Sequence, residues 1–378
     1  MQVQVHRRIN EIPSAQWDQL LTGRNPFLRH AFLDALESEQ CLRSDYGWTP
    51  HHLSLRSEGN LIGAVPMYLK GNSHGEFVFD WAWANAWEQA GHAYFPKLLA
   101  AIPYSPVTGP RLLVGNCEDV DARRGLLARA LRDQVDRLGL SSAHVNFTDF
   151  QDGDALAADG WLHREDTQFH WRNRGWPDFD AFLAALTAKK RKNIRQERAQ
   201  VVEAGIRCTM KHASDVADED WSSIHRLYVS TFEDRGNLPV LTEGFFRRLA
   251  ASLPDSVIVC ECRQGDRLIA MALFLRSDHT LYGRYWGMHA SVPGLHFEAC
   301  YYQGIDYCLR HGLEFFEPGA QGEHKIARGF LPTPTHSYHY LADPGFRDAV
   351  AEYLAREILS RRTYAAELRT HSPYRDAE

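Results

Sequence analysis

The sequence predicts an α/β fold with mixed sheets, in which two similar units follow one another along a chain of 378 residues. Three observations support this prediction. Segments with the two-residue alternation of strands are interspersed with segments that have the period of helices. The order of these segments in the first half recurs in the second half. In addition, the turn and strand EGNLIGAVPMYL at 58–69 resemble QGDRLIAMALFL at 264–275. The chain is long enough for two domains.

The first half begins with a strand at 3–9 and two helices. Pro13 and Ser14 open the first helix, where we expect the Ser14 hydroxyl to cap the helix N-terminus. The turn residues at 57–60 then separate two strands. The other predicted elements are a helix at 30–39, strands at 51–56, 61–69 and 76–81, a helix at 121–138, a strand at 143–148, a short helix and a strand at 167–171.

The second half begins with a helix at 179–204 that contains the basic run AKKRKNIRQER. Gly312 is placed to end a later helix, because glycine favours the left-handed conformation just beyond a helix C-terminus. The final amphipathic helix packs back on the body or forms a dimer contact, and the sequence leaves both alternatives open. The other predicted elements are strands at 206–212, 257–263, 268–276, 280–286 and 313–317, and helices at 218–232, 242–252, 297–311 and 347–368.

Composition indicates a globular protein and argues against general nucleic-acid binding. Lys and Arg total 42 against 48 Asp and Glu, which gives a net charge of −6. No apolar run approaches the ~20 residues that span a bilayer, and the first residues lack the apolar core of a signal peptide. Cys260 and Cys262 alternate within one predicted strand, which is typical of buried, reduced thiols. We therefore expect a cytoplasmic protein without disulfides.

Three stretches carry a resemblance to a known family. They are PYSPVTGPRLL at 103–113, KKRKNIRQER at 189–198 and the long segment from LHFEACYYQG to THSYH at 295–339. With them, the chain resembles the FemAB-like N-acyltransferases, which are related to the Fem-type peptidoglycan aminoacyltransferases. The element order also resembles that of the GNAT acyltransferase fold. The resemblance implies tandem GNAT-like domains at 1–172 and 173–343, with 344–378 forming a C-terminal helix that packs back on the body.

The activity that the resemblance implies is transfer of an acyl or aminoacyl group to an amine of a small molecule or a cell-envelope precursor. Two alternatives stay open. One is peptide-bond formation that depends on aminoacyl-tRNA, and the other is non-catalytic recognition of a cell-wall fragment, because a fold does not guarantee activity. The donor, the acceptor and the oligomeric state are not predicted by the sequence.

The segment PGAQGEHKIARGF at 318–330 holds the main candidate site residues. Lys325 is placed to stabilise the oxyanion that forms when an amine attacks an acyl carbonyl. Glu323 or His324 is the candidate base for the amine proton. Glycines allow the backbone to approach an anion closely, and basic side chains add charge. The substrate-binding residues predicted here are Gly319, Gly322 and Arg328.

Other candidates lie outside this segment. Glu298 is a second candidate base, although the helix dipole alone would favour a carboxylate at that position. The further candidate substrate-binding residues are His296, Tyr285, His339, Lys190 and Arg191. Aromatic and histidine residues near core strands are more often packing residues than ligands.

The basic helix divides into an outer and an inner face. At about 100° per residue, Lys190 and Glu197 fall on the apolar side, whereas Lys189 and Lys192 point away. The inner charges therefore line a substrate cleft between the domains, form a structural ion pair or contact tRNA. The sequence leaves these three alternatives open.

Cofactor motifs give mixed indications. No His-Glu-x-x-His, Walker or Rossmann motif is present, so we predict no metal site and no nucleotide loop of those types. GNAT domains that bind acetyl-CoA usually carry a Gly-rich loop before their central helix, but MHASVPGLHFE at 288–298 has only Gly294. Acyl-CoA is therefore a weakened candidate. Fem-type relatives use aminoacyl-tRNA instead, which makes tRNA a candidate partner, whereas DNA and membrane-spanning segments are not expected.

Overall fold

The computed structural model describes residues 1–289, 291–320 and 322–375. The chain divides into two compact units. Unit 1 comprises Met1–Thr167 and Pro334–Tyr364, and unit 2 comprises Gln168–Thr333 and the chain from Ala365 onwards. Among the described helices, none has the length and apolarity that crossing a membrane requires.

The strands are short and the helices are of mixed length. The strands are β1 (Gln2–His6), β2 (Trp48–Pro50), β3 (His52–Ser57), β4 (Asn60–Val65), β5 (Met67–Lys70), β6 (Lys97–Ala100), β7 (Ser142–Asn146), β8 (Leu162–Arg172), β9 (Ile206–His212), β10 (Val257–Gln264), β11 (Arg267–Arg276), β12 (Thr280–Met288), β13 (Phe315–Glu317) and β14 (Leu331–Leu341). The α-helices are α1 (Ser14–Asp18), α2 (His30–Ser38), α3 (Trp81–Gln89), α4 (Val120–Leu138), α5 (Phe150–Ala158), α6 (Phe179–Ala185), α7 (Ala188–Glu203), α8 (Asp220–Glu233), α9 (Glu243–Ser252), α10 (Leu295–Phe297), α11 (Gln303–His311) and α12 (Pro344–Thr370).

Unit 1 contains a small sheet of order β1-β3-β4 and a larger sheet of order β2-β5-β6-β7-β14. β6 and β7 run parallel, with Leu99 beside His144, and α4 connects them. Both strands are buried on both faces, and Leu127 and Leu131 of α4 pack into the same apolar core. The first part of α12 adds Val350 and Leu354 to a second cluster around Trp83 of α3.

Unit 2 contains a sheet of order β13-β12-β11-β10-β9, and the end of β8 pairs with β13. β12 and β13 are parallel, whereas β9 to β12 form an antiparallel series. A strand, two helices, three antiparallel strands, a helix and a strand therefore follow one another, as the sequence predicts. The predicted α/β fold with mixed sheets is confirmed.

The helix predicted at 297–311 has an irregular start. α10 leads into a π-helical turn, Glu298–Tyr302, and α11 follows without interruption. Gly312 ends α11 in the left-handed conformation with φ of 65°, as expected. π-Helical turns are rare and often occur at functional sites, so this turn marks a place in unit 2 where side chains are presented in an unusual register.

Three predictions of local structure in unit 1 are wrong. Ser14 is the first helical residue and makes no capping bond, because Pro13 occupies the capping position. Residues 76–81 are not a strand, since Asp80 and Glu76 turn inward toward Lys97 and α3 begins at Trp81. The strand that pairs with β5 and follows it along the chain is β6 (Lys97–Ala100), which the sequence prediction missed. The strand predicted at 61–69 is split between β4 and β5, where Pro66 stands.

A further correction concerns the basic helix predicted at 179–204, which is two helices in the structure. Leu186 and Thr187 are extended and separate α6 from α7. Their backbone groups bond the last described part of the chain, with the Thr187 amide donating to the Pro373 carbonyl at 2.8 Å and Arg375 Nε donating to the Leu186 carbonyl at 3.1 Å. Tertiary pairing therefore breaks a helix that local sequence preference would continue.

Unit 1 also buries a cluster of charges. Lys97 Nζ donates to Glu76 at 2.9 Å, to Asp80 at 2.5 Å and to Ser73 at 3.2 Å, and all four side chains are almost fully buried. The Tyr94 hydroxyl donates to Asp80 Oδ2, the oxygen that Lys97 also contacts. Charges without water require such partners, and Lys97 is the ammonium group that donates to both carboxylates.

Candidate functional site

Three elements of unit 2 bring charged and aromatic side chains together: α7, the π-helical turn and the segment after β13. In that segment, a 3-10 helix runs from Glu323 to Arg328. Arg328 Nη2 donates to Glu197 Oε1 at 2.7 Å, and Nη1 donates to the His324 carbonyl at 2.9 Å. The Tyr302 hydroxyl donates to the other oxygen of Glu197. The Arg328 guanidinium also lies 3.3 Å from the ring centre of Phe297. These bonds fix the 3-10 helix against two other elements.

Lys325 lies inside this 3-10 helix and is only 3% exposed. Its ammonium group donates to the Gly319 carbonyl at 2.7 Å. Within residues 1–289, 291–320 and 322–375, no carboxylate forms an ion pair with it. Burial lowers the pKa of Lys325 to about 8, because a desolvated ammonium group is disfavoured. The geometry thus holds one cationic donor, with spare N–H groups, beside a glycine carbonyl.

His324 is the exposed neighbour of this lysine. Its Nε2 lies 3.0 Å from the Tyr301 hydroxyl. Partial burial lowers the pKa of His324, and the charges of Lys325 and Arg328 lower it further. The imidazole is therefore neutral at pH 7, which is the form that accepts a proton.

His296 belongs to the same cluster. Its ring lies among the rings of Trp286, Phe297 and Tyr301, with centroid distances of 5.4 Å. Burial lowers the pKa of His296 to about 4, and the charge that His324 gains on protonation acts in the same direction. The structure thus brings together the predicted residues His296, His324, Lys325 and Arg328. Glu323 also lies on this 3-10 helix, with its side chain exposed.

Glu298 is held in a separate, adjoining ion pair. Arg198 donates to both of its oxygens, at 3.0 and 3.2 Å, and Gln303 donates to Oε1 at 2.8 Å. Burial raises the pKa of Glu298, while Arg198 opposes the rise. A bidentate pair of this kind is strong and directional, so a role as a base would require Glu298 to leave these donors.

The basic residues of α7 have different surroundings. Arg191 donates to the carbonyls of Leu186 and Leu183 at 3.1 and 3.5 Å, so it satisfies the C-terminal end of α6. Lys189 and Lys192 are exposed, as the helical wheel predicts, and Lys190 is half-buried. In the described part of the chain, these three lysines have no hydrogen bond or ion pair.

Two predicted site residues lie away from this cluster. Tyr285 packs its ring against Tyr228 and Phe246 of the helices α8 and α9. His339 belongs to unit 1, where its Nδ1 is 2.7 Å from that of His144 and its Nε2 is 2.9 Å from the Ser337 hydroxyl. Both side chains are held by packing or hydrogen bonds in these positions, which matches the alternative expectation of structural aromatic and histidine residues.

The segment before α10 is the place where GNAT domains that bind acetyl-CoA usually carry a glycine-rich loop. Gly294 has φ of 79°, and a Cβ there would lie 2.5 Å from the Glu197 carbonyl oxygen. This glycine is therefore used for close packing against α7. Ala290 lies outside the described residues. The remaining residues, His289 and 291–293, include no glycine, so what is described of this segment does not form a glycine-rich phosphate cradle.

The sequence prediction missed the role of Glu197 and Tyr302 in positioning Arg328. The helical wheel did place Glu197 on the inner face of α7, which was the available signal. Its partner lies 131 residues further along the chain, and no local pattern connects the two. Taken together, the site offers a buried cation, a neutral imidazole and a rigid support for both.

Comparisons with known proteins concern the family and the fold of the chain. A model of the FemAB-like family, described as peptidoglycan biosynthesis/recognition, matches residues 8–376. No curated protein matches the sequence. FemX aligns with a TM-score of 0.52 and 11% identity over 93% of this chain and 100% of its own. The C-terminal DUF2156 domain of a protein named as a lysylphosphatidylglycerol synthetase, from Agrobacterium fabrum, gives 0.52 and 12% over 92% and 96%.

A tandem GNAT protein from the clavulanic acid biosynthesis pathway aligns with a TM-score of 0.46 and 13% identity, over 91% of this chain and 99% of its own. At these identities, the likenesses to solved structures concern the fold alone. The chain shares the fold of FemX, and the tandem GNAT-like domains stay a prediction.

Proposed function

Since the chain belongs to the FemAB-like family of peptidoglycan biosynthesis/recognition, we propose that it transfers an acyl or aminoacyl group to an amine of a small molecule or a cell-envelope precursor. The reaction takes place at the cluster around the 3-10 helix of unit 2. The observation that carries this proposal is Lys325, a buried ammonium group that donates to one carbonyl and has no carboxylate partner in the described part of the chain.

Lys325 is suited to stabilising negative charge. In the proposed reaction, the amine nitrogen forms a bond to the acyl carbon, and the carbonyl oxygen becomes an oxyanion. A fixed cationic donor in a water-poor site stabilises this charge far better than water does, and loss of one such donor costs about 3–4 kcal/mol in the transition state. Collapse of the intermediate breaks the bond from the acyl carbon to the leaving oxygen or sulfur.

His324 is suited to moving the proton. The attacking amine must lose one proton, and the leaving group must gain one. The neutral imidazole of His324 accepts the first proton and returns it to the leaving group, so protons and charge balance over the step. His296 is half-buried and neutral beside it, so it lines the site without adding charge.

The proposal includes two kinds of acyl donor, an ester and a thioester. The described residues before α10 do not form a phosphate cradle, and the bond changes above are the same for an ester donor and a thioester donor. Acceptor binding is supported by the aromatic surfaces of Trp286, Phe297 and Tyr301 around His296.

The test is a transfer assay with purified full-length protein. Acyl-CoA and aminoacyl-tRNA donors are each combined with amino sugars and peptidoglycan precursors that carry a free amine, and products are identified by mass spectrometry. We expect Lys325→Met to lower kcat by about 10²–10³, whereas Lys211→Met on β9 leaves it unchanged. Full activity of Lys325→Met would overturn the assignment, and binding of a precursor without product would favour recognition instead.

One observation favours a second candidate, in which aminoacyl-tRNA is the donor. Lys189, Lys190 and Lys192 cluster in the first turns of α7 and are without ion-pair partners across the described residues. Three unpaired cations on one helix are suited to phosphates, despite the net charge of −6.

Salt dependence tests this second candidate. The wild-type protein should bind tRNA with an affinity that falls steeply as salt rises, and replacing the three lysines by Gln should reduce the slope of log affinity against log salt by about 2–3. The control Arg310→Gln, on α11, should leave the slope unchanged. No measurable tRNA binding at low salt would remove this candidate.

A further inference from the structure

Three of the seven cysteines lie side by side in unit 2. Cys260 and Cys262 alternate on β10 and therefore point to the same face of the sheet, and Cys262 is directly opposite Cys208 on β9. The Sγ atoms of Cys208 and Cys262 are 3.3 Å apart, and the three sulfur atoms all lie within 4.8 Å of one another. In the described part of the chain, all seven cysteines are thiols and none forms a disulfide. We call these three residues the thiol cluster.

The separations fit a metal ion better than they fit a disulfide. A disulfide has an S–S length of about 2.05 Å, whereas two thiolates on a tetrahedral zinc ion, with Zn–S bonds of about 2.3 Å, lie about 3.8 Å apart. The 3.3 Å between Cys208 and Cys262 and the upper bound of 4.8 Å for the other pairs lie on either side of this value, so side-chain rotations can bring the sulfur atoms around a common centre. The β-sheet supplies that preorganisation, because β9 and β10 are hydrogen-bonded neighbours.

The surroundings favour a soft ion. Cys260 and Cys262 are fully buried, and Cys208 is half-buried on the outermost strand of the sheet. An ion can therefore reach the cluster from the side of Cys208 while water stays away from the other two ligands. Among the described residues, the group of potential ligands here consists of three thiols, and thiolate ligands are typical of sites for Zn²⁺ or Cu⁺, and not of sites for Mg²⁺ or Ca²⁺.

We propose that Cys208, Cys260 and Cys262 form a binding site for one thiophilic d¹⁰ metal ion, Zn²⁺ or Cu⁺. Each thiol that becomes a ligand releases its proton to solvent, so binding releases up to three protons. With three thiolates, the site carries a net charge of −1 with Zn²⁺ and −2 with Cu⁺. It is independent of the proposed transfer reaction, in which the three cysteines take no part.

The experiment uses full-length protein, reduced and free of oxygen. Zn²⁺ is titrated against a chromophoric chelator, and Cu⁺ against bicinchoninate. We expect one ion per chain for at least one of the two metals, with release of protons and with sulfur ligands in its X-ray absorption spectrum. The two titrations distinguish zinc from copper as the preferred ion.

Variants locate the ion. Cys208→Ser and Cys262→Ser should each weaken binding at least 100-fold, whereas Cys117→Ser, a half-buried cysteine of unit 1, should not change it. A second group of potential ligands, His163, Glu165 and His336, lies in unit 1. His336→Ala should therefore leave the sulfur-bound ion in place.

The proposal is overturned if the double variant Cys208→Ser/Cys262→Ser binds either ion as tightly as the wild type does. It is equally overturned if the bound ion shows only nitrogen and oxygen ligands. Because Cys208 is half-buried on an edge strand, Cys208→Ser is expected to fold, and its thermal unfolding without metal provides the control. If Cys262→Ser has a folding defect, the Cys208→Ser variant still tests the proposal.

Discussion

Arg328 donates a hydrogen bond to Glu197 at 2.7 Å, across 131 positions of the sequence. The bond joins the helix α7 to the 3-10 helix that contains Lys325. Tyr302 of the π-helical turn donates to the same carboxylate. The side chain of Glu197 therefore holds both Arg328 and Tyr302 in position at the candidate site. The basic run of α7 is therefore organised around an inward-facing glutamate.

Removal of this bond should destabilise unit 2 measurably. Arg328→Ala leaves Glu197 without its charged donor, and hydrogen bonds to charged groups contribute about 1.5–3 kcal/mol. Equilibrium denaturation with urea measures the change. Arg310→Ala is the control, because Arg310 and Asp306 form an exposed pair at 2.9 Å on α11 that is worth at most about 0.5 kcal/mol. Equal losses in the two variants would contradict the role given to Arg328.

The close approach of Gly294 to α7 predicts a second pair of variants. A methyl group at Gly294 would lie 2.5 Å from the Glu197 carbonyl oxygen, and φ is 79°. Gly312 has a similar φ of 65° but open space around it. Gly312→Ala should cost about 1–2 kcal/mol for the left-handed conformation alone.

Gly294→Ala should cost clearly more than Gly312→Ala in the same unfolding experiment, because the clash is with backbone atoms that cannot rotate away. A Gly294→Ala variant as stable as Gly312→Ala would show that the segment before α10 does not pack on α7 as described.

Burial of Lys325 predicts a specific pH dependence of stability. Its pKa is about 8 in the folded protein and near 10.5 when unfolded, so the unfolded chain binds more protons between these values. Folding stability from this group therefore rises as the pH rises from 8 to 10.5, and below pH 8 the buried charge costs about 3 kcal/mol.

Lys325→Met keeps the shape of the side chain and removes the charge. The difference in unfolding free energy between this variant and the wild type should favour the variant at pH 7 and shrink toward pH 10.5. The two proteins share all other titrating groups, so the contributions of those groups cancel in the difference between the two unfolding free energies. A difference that is independent of pH would mean that Lys325 stays solvated.

The buried charge cluster of unit 1 should be sensitive to the loss of Lys97. Lys97→Met leaves the buried carboxylates of Glu76 and Asp80 without the ammonium group that donates to both, which typically costs about 3–5 kcal/mol. Calorimetry at pH 7 should show this loss, and lower pH should reduce it as the carboxylates become protonated. The solvent-exposed pair of Arg361 and Asp166, at 3.6 Å, is the control, since Arg361→Met should cost less than about 1 kcal/mol.

Sequence patterns predicted most of the fold where local preference and burial agree. The antiparallel series β10 to β12, the helix α4 and the end of α11 at Gly312 follow their predicted positions closely. β6 was missed because it is buried on both faces, and such a strand lacks the polar–apolar alternation that identifies half-buried strands. The break at Leu186 was missed because its cause is pairing with residues near 374.

The proximity of the candidate site residues was predicted in part for the same reason. Neighbours in sequence, such as His324, Lys325 and Arg328, were grouped correctly because one short segment holds them. His339 was a separate substrate-binding candidate after that segment, but β14 passes from unit 2 into unit 1 before reaching it. Contacts such as that of Arg328 with Glu197 depend on tertiary structure, which a helical wheel does not contain.

The division of the chain between its units has a consequence for its synthesis. The chain leaves unit 1 at Gln168, returns at Pro334 and leaves again at Ala365. While a ribosome makes the protein, β7 is complete long before β14, the strand that pairs with it through Ala143 and Tyr340. Domain-by-domain folding behind the ribosome therefore cannot complete unit 1 until residues 168–333 of unit 2 and the segment Pro334–Tyr364 have been translated.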